Sequence, residues 1–270
     1  MSIHVHWYLP TNGDSRDIVG SGDGSQKSLP AITDFRAPTI DYLGQVARSA
    51  EQLGYEAVLT PTGTWCEDAW IFTAALSQVT RRLKFLVAFR PGFISPTLAA
   101  QQAATFQRVS GGRLLLNIVT GGDPAEQRRF GDHLGHDHRY ERTEEFLAVL
   151  RGVSASGPDD PFSFSGKHYD IEGASIGFAP YALPRIFFGG ASPAAERAAA
   201  RQTDVYLAWG ETPTQIKERV TRMRERAAEA GRASSGAIRA AGRSPASWGK
   251  ATGWSGGTLL SDVSSGSRPA

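Results

Sequence analysis

The residues of clearest chemical use in this chain lie where apolar runs give way to glycine. Phe188-Gly189-Gly190-Ala191-Ser192-Pro193 leaves a buried run through two glycines and enters a helix start marked by serine, then proline. Such a junction aims free backbone N–H groups at an anion, with the Ser192 hydroxyl as a further donor. An ordinary capped helix is spelled by the same letters, and spacing alone does not separate the two. His136 and Tyr140 stand one helical turn apart and can face one ligand, or can be surface polar groups at a helix start. Cys66 follows Gly63-Thr64-Trp65 at the start of a predicted helix, a position that lowers a thiol pKa; a small, inert, buried cysteine is the alternative. Arg90 ends an apolar run and suits an anion or a salt bridge. Trp7 and Trp209 line or end predicted strands, as core residues or as a stack for a planar ring. His133, His136 and His138 lack a carboxylate at ligand spacing, so no metal is expected.

The elements that must position these groups repeat one grammar. Gly111–Asp123 is a Gly-Gly stop, Arg113, six positions that are apolar except for Asn117, and a Thr-Gly-Gly-Asp loop. A continuous apolar run bounded by glycines reads as a strand buried on both faces, as in a parallel sheet under helices. Strands are likewise expected at Ile3–Pro10, Ala57–Thr60, Leu83–Phe89, Ile186–Phe188 and Asp204–Trp209. Between them, Ile40, Leu43, Val46, Ala47, Ala50 and Leu53 share one helical face. Glu67–Val79 reads as a helix with two acids in its first turn. Further helices run from Ser95-Pro96 to Ser110, from Arg139 to Leu150, from Ser192-Pro193, and from Thr212-Pro213 to Ala230 before Gly231. Phe162, Phe164, Tyr169 and Ile171, flanking Ser165-Gly166, form an inserted β-hairpin. Residues 15–37 make a long polar loop.

Six strand–helix units in strict alternation predict a parallel α/β fold with right-handed crossovers. No GxGxxG follows the first strand, which turns the choice from a Rossmann fold to a (β/α)8 TIM-barrel type. Two of its strands are unaccounted for. Residues 233–270 are dominated by Ser, Gly and Ala and carry one acid, Asp262; that composition predicts disorder and an open sheet with a tendency to aggregate. The chain has 270 residues, 40% hydrophobic, with a net charge of +2, so it can bury a sizeable core and presents no field for a nucleic acid. One cysteine excludes an internal disulfide and fits a reducing, cytoplasmic setting. No signal peptide or membrane-spanning run is read in the sequence.

Seven colinear motifs carry a resemblance. They are Tyr8–Asp14, Pro61–Trp70 (Pro-Thr-Gly-Thr-Trp-Cys-Glu-Asp-Ala-Trp), Leu83–Pro91, Asn117–Gly121, His136–Tyr140, Phe188–Ser192 and Tyr206–Glu211. Over residues 1–232 the chain resembles the flavin-dependent monooxygenases of the bacterial luciferase-like group, and within it the two-component alkanesulfonate monooxygenases. The resemblance implies a luciferase-like barrel that takes reduced FMN from a separate NAD(P)H-dependent FMN reductase. With O2 it would cleave the C–S bond of an aliphatic sulfonate to sulfite and an aldehyde. By the same likeness Tyr140, His136, Ser192 and the Gly190-Ala191 backbone would hold the FMN phosphate. Thr62, Thr120 and Gly121 would line the flavin, Cys66 would sit beside its ring, and Trp209 would border the reacting centre. A homo-oligomer is implied for the intact form.

Two departures alter the expectation. Asn12 stands where the family commonly has histidine, at a catalytic contact near the substrate. The family's seventh strand carries Arg-x-His and a later lid supplies an arginine, whereas this chain continues after Arg232 with Ala-Ser-Ser-Gly-Ala-Ile-Arg. Residues 1–232 are therefore expected to be an incomplete flavin barrel, impaired in turnover, and residues 233–270 a truncated or out-of-frame tail. The alternatives are a monooxygenase of another small organosulfur compound and a non-catalytic flavin-binding remnant.

Overall fold

A computed structural model of the chain describes residues 3–13, 36–178, 182–208, 211–232, 239–243 and 258–261, the last two segments by their backbone. The order is β1 (Ile3–Tyr8), α1 (Ile40–Gln52), β2 (Ala57–Leu59), α2 (Ala69–Leu76), β3 (Lys84–Phe89), α3 (Pro96–Ser110) and β4 (Leu114–Ile118). Then come α4 (Pro124–Arg129), α5 (His136–Ala155), the hairpin β5 (Phe162–Ser165) and β6 (Asp170–Ala174), and β7 (Ile186–Gly189). The chain continues with α6 (Pro193–Gln202), β8 (Val205–Leu207), α7 (Pro213–Glu229), β9 (Arg239–Arg243) and β10 (Thr258–Ser261). Among the described residues no helix is long and apolar enough to cross a membrane.

The fold is a TIM-type barrel, with six βα units and the inserted hairpin. β1, β2, β3, β4, β7 and β8 pair in parallel in that order. The two places left in the ring are taken by segments of the tail. β9 runs parallel to β8, while β10 pairs antiparallel with both β9 and β1. The sheet edges expected to be open are thereby paired, because backbone pairing asks little of side chains and Ala- and Thr-bearing segments can supply it. The remainder of residues 233–270, and the long loop over residues 14–35, lie outside the described residues.

Strand alternation divides the apolar residues between two cores. Phe85, Val87, Leu114, Leu116, Ile118, Ile186 and Phe188 face the helices, while Leu86, Leu115, Phe187 and Val205 fill the barrel. β4 must be apolar on both faces, which is why its run is continuous. At the amino ends, Glu56 gathers His4 (2.6 Å), Lys84 (2.9 Å) and Arg185 (3.3 Å), with His6 at 3.7 Å. The ends of α1 depart from expectation: Ile40 is 47% and Leu53 75% exposed, while Leu43, Ala47 and Ala50 are buried and Val46 packs against the core.

α5 ties the barrel together. Its Glu145 carboxylate accepts the N–H groups of Lys167, His168 and Tyr169 at the hairpin (3.0, 2.7 and 3.2 Å). Farther along, the Arg151 guanidinium donates to the Gln202 carbonyl (2.7 Å) and to Asp204 (3.1 Å), at the entry to β8.

Candidate functional site

The loops after β1, β2, β3, β4 and β7 meet at the carboxyl ends of the strands, where parallel α/β folds build their sites. One corner forms where β7 hands over to α6. Ser192 caps α6, its hydroxyl accepting the Ala195 N–H (3.2 Å), and Pro193 opens the first turn with its φ already set. Gly190 has no room for a side chain, since a Cβ there would lie 2.6 Å from the Ala195 methyl and 3.2 Å from Tyr140 Oη. Tyr140 is buried beside Ser192, packed on Phe188, and burial raises its phenol pKa, so it is a neutral donor. His136 opens α5, with its ring centroid 5.0 Å from that of Tyr140 and Nδ1 2.6 Å from Asp137 Oδ1. From β8, Tyr206 donates its hydroxyl proton to the Gly190 carbonyl; burial raises its pKa also.

The opposite side is built by the loops after β1 to β4. The Glu67 N–H donates to the Thr11 carbonyl (2.9 Å), joining the first two loops. Between them lies Cys66, its Sγ 3.6 Å from the Gly63 carbonyl and beside the Thr11 hydroxyl. Burial pushes this thiol up to about 11. Arg90, 6% exposed, donates from Nη2 to the Thr62 carbonyl (3.2 Å) and to Glu126 Oε2 (2.5 Å). Its Nε and Nη1, Thr11 Oγ1 and Glu126 Oε1 are buried without a partner among the described residues. Gly121 sits at φ +88°, and a Cβ there would meet Gln127 Nε2 at 1.7 Å, so only glycine fits. Its carbonyl accepts from Arg139 Nη2 (3.3 Å), and Thr120 Oγ1 lies 3.4 Å from Thr143 Oγ1.

The structure thus brings Tyr140, His136, Gly190, Ala191 and Ser192 to one corner and places Thr62, Cys66, Thr120 and Gly121 around the same mouth. Asn12 Oδ1 is 3.4 Å from Tyr8 Oη in the first loop. Trp209 lies outside the described residues. Of the two readings of Cys66 the inert thiol holds: α2 begins three residues later, at Ala69, and desolvation outweighs any helix field. For the same reason Glu67 lies outside the helix and Asp68 is its cap, accepting the Ile71 N–H at 2.9 Å. The salt-bridge reading of Arg90 holds, with Glu126 as partner. Gathered groups of three or more metal-ligating side chains are absent among the described residues.

α4 and its Glu126 and Gln127 escape the sequence reading, as do the contacts of Tyr206 with Gly190 and of Arg139 with Gly121. For α4 a signal exists: Asp123-Pro124 repeats the cap-then-proline start, and Asp123 Oδ1 accepts the Ala125 N–H at 2.8 Å. For Glu126 none does, since its partner lies 36 residues away.

The sequence profile of a family described as luciferase-like monooxygenase matches residues 4–250. Among solved structures, EDTA monooxygenase from Chelativorans sp. BNC1 is 22% identical with a TM-score of 0.72, the match covering 90% of this chain and 61% of that one. DmoA from Hyphomicrobium sulfonivorans is 19% identical (TM-score 0.72; 90% and 59% covered). The oxygenating constituent of 3,6-diketocamphane monooxygenase from the CAM plasmid of Pseudomonas putida, in complex with FMN, is 20% identical (TM-score 0.62; 86% and 64% covered). The chain therefore spans about three fifths of the length of the solved relatives it matches.

Proposed function

This chain belongs to the luciferase-like monooxygenase family, and from that premise we propose that it binds reduced FMN and oxygenates an aliphatic sulfonate, releasing sulfite and an aldehyde. The observation that carries the flavin half is the convergence of Tyr140 Oη, Ser192 and the side-chain-free Gly190 at the N-terminus of α6. An anion gains there from the N–H groups and the helix dipole, and the missing Cβ lets the backbone come close. The fit extends to the ring. Gly121 leaves its loop bare, and the unpartnered Thr11 Oγ1 and Arg90 N–H groups offer hydrogen bonds to a polar planar group. The sulfonate half rests on the seven motifs, Pro61–Trp70 above all.

When bound, reduced FMN supplies the electrons that activate O2. Residues of the chain bind, orient and shield. Tyr140 and Ser192 donate to the phosphate as neutral groups, and His136 adds a further donor at the rim. Cys66 stays a thiol at neutral pH and packs beside the ring rather than attacking it. Arg90, Glu126 and the phenyl rings of Phe93 and Phe130 around the guanidinium close one wall against water. A NAD(P)H-dependent FMN reductase would be the partner that delivers the cofactor.

The test supplies FMN, a flavin reductase, NADPH and O2 with sulfonates from ethane- to decanesulfonate, and follows both flavin retention and sulfite. The reading expects sulfite that requires every component. A second reading, a flavin-binding remnant, is favoured by the absence of Arg-x-His just after Arg232. Flavin retained without sulfite from any sulfonate selects it, and no retained flavin removes both.

A further inference from the structure

We propose that Tyr206, held by Arg219, is the positioning residue that turns the Gly190–Ala191 peptide so that the Ala191 N–H is presented to the phosphate. The inference rests on the flavin-phosphate reading of that corner and adds to it a residue sixteen positions away from the peptide it governs. Tyr206 is buried, 3% exposed, and its ring belongs to the layer between sheet and helices. Its hydroxyl donates to the Gly190 carbonyl, which is thereby turned outward, toward the helix layer. No cis peptide occurs in the described chain. In a trans peptide the C=O and the following N–H lie on opposite edges of one plane, so a carbonyl fixed outward fixes the Ala191 N–H inward, toward the mouth. Among the described residues that N–H has no hydrogen-bond partner.

Tyr206 is itself oriented. Arg219, on α7, donates from Nη1 to Tyr206 Oη (3.5 Å), and this occupies a phenol lone pair and directs the O–H toward Gly190. The guanidinium is clamped by Glu211, with Nε to Oε2 at 2.9 Å and Nη2 to Oε1 at 2.5 Å, and by Glu196 Oε1 at 3.2 Å. Glu196 also binds Arg222 (2.8 Å) and Arg226 (3.3 Å), so α6 and α7 are locked face to face behind the peptide. A glycine peptide with no side chain on one flank is free to flip, and this chain of contacts removes the freedom. The packing of α6 and α7 does not need it, since Glu196 retains its arginines whichever way the peptide faces.

The experiment compares the dissociation constants of FMN and riboflavin, both reduced anaerobically, in the wild-type chain, Tyr206→Phe and Arg219→Lys. Riboflavin lacks the phosphate, so the ratio isolates the contact in question and does not follow general damage. Wild type is expected to favour FMN by tenfold or more. Tyr206→Phe lowers that preference at least fivefold while leaving riboflavin affinity within twofold; Arg219→Lys, which keeps the charge but loses the fork, lowers it two- to threefold. A wild-type preference that survives unchanged in both variants overturns the role of Tyr206 and leaves the phosphate corner standing. Equal affinity for the two flavins in wild type, or none for either, removes the corner itself and this inference with it. Should Tyr206→Phe not fold by circular dichroism, Arg219→Lys alone decides.

Discussion

Arg90 Nη2 lies 2.5 Å from Glu126 Oε2, and both side chains are nearly shut off from solvent, at 6% and 12% exposure. The pair joins the end of β3 to the short helix after β4, across the mouth of the barrel. Removing one member strands the other as a buried charge, whereas replacing both by apolar groups does not. Glu126→Ala is therefore expected to cost ~3–5 kcal/mol in urea unfolding. The double variant Arg90→Met/Glu126→Leu should be more stable than either single one. A single-variant loss below about 1 kcal/mol would mean that water already reaches the pair.

Cys66 should be slow to alkylate. With the thiol pushed up from 9.0 to about 11, its thiolate fraction near neutrality is about a hundredfold below that of an ordinary cysteine. Iodoacetamide labelling followed by mass spectrometry should give a rate that still climbs tenfold per unit between pH 8 and pH 10. A plateau below pH 9 would contradict the burial argument.

Gly190→Ala should damage the corner sterically. The new methyl would stand 2.6 Å from the Ala195 Cβ and 3.2 Å from Tyr140 Oη; the first is fixed to the α6 backbone and cannot swing aside, while the second would have to shift by a few tenths of an ångström. We expect FMN binding weakened by tenfold or more and a stability loss of ~1–3 kcal/mol. Wild-type affinity in this variant would show that the loop is softer than its contacts suggest.

At the amino ends, His6 and Glu56 make the barrel sensitive to acid. Burial lowers the His6 pKa below its usual 6.5, so the folded state holds it neutral and that contribution is complete only above pH 6.5. Lowering the pH through 6.5 protonates the unfolded chain first and stability falls. Glu56, held well below the usual carboxylate range by the neighbouring His6 imidazole and by Lys84 and His4, adds stability above about 4.5 that is lost further down. Melting curves should thus decline from pH 7.5 to pH 5 in wild type, and less so in His6→Phe, where Glu56, His4, Lys84 and Arg185 remain. Identical slopes would assign the decline to other groups.

Much of this was legible from local letters. Ser95-Pro96, Ser192-Pro193 and Thr212-Pro213 each open the helix they announce, because a cap and a preset φ act within one turn. Asp123-Pro124 does the same but carries no further signal, since the four polar residues after Pro124-Ala125 offer no apolar period to follow. Spacing along α5 placed His136 over Tyr140. What could not be read was set by distance in sequence: the reach of Glu126 to Arg90, of Tyr206 to Gly190, and of Arg139 to Gly121. For Cys66 the letters leave a reactive and an inert thiol both open, and the loop carrying Thr11 decides for the inert one, because desolvation is a property of neighbours, not of a motif. The closing strands were invisible for a related reason: ladder pairing uses the backbone, which composition does not weigh.

The grip of Glu145 on the hairpin has a consequence for anyone who edits this protein. Glu145 follows Tyr140 by five residues, about 7.5 Å along one unbroken helix of 20 residues. Three amide protons rivet the inserted ribbon to that rod, which is itself packed between α3 and α6. Trimming the ribbon, grafting onto it or docking another molecule against it therefore acts, from outside the barrel, on the helix that carries His136 and Tyr140.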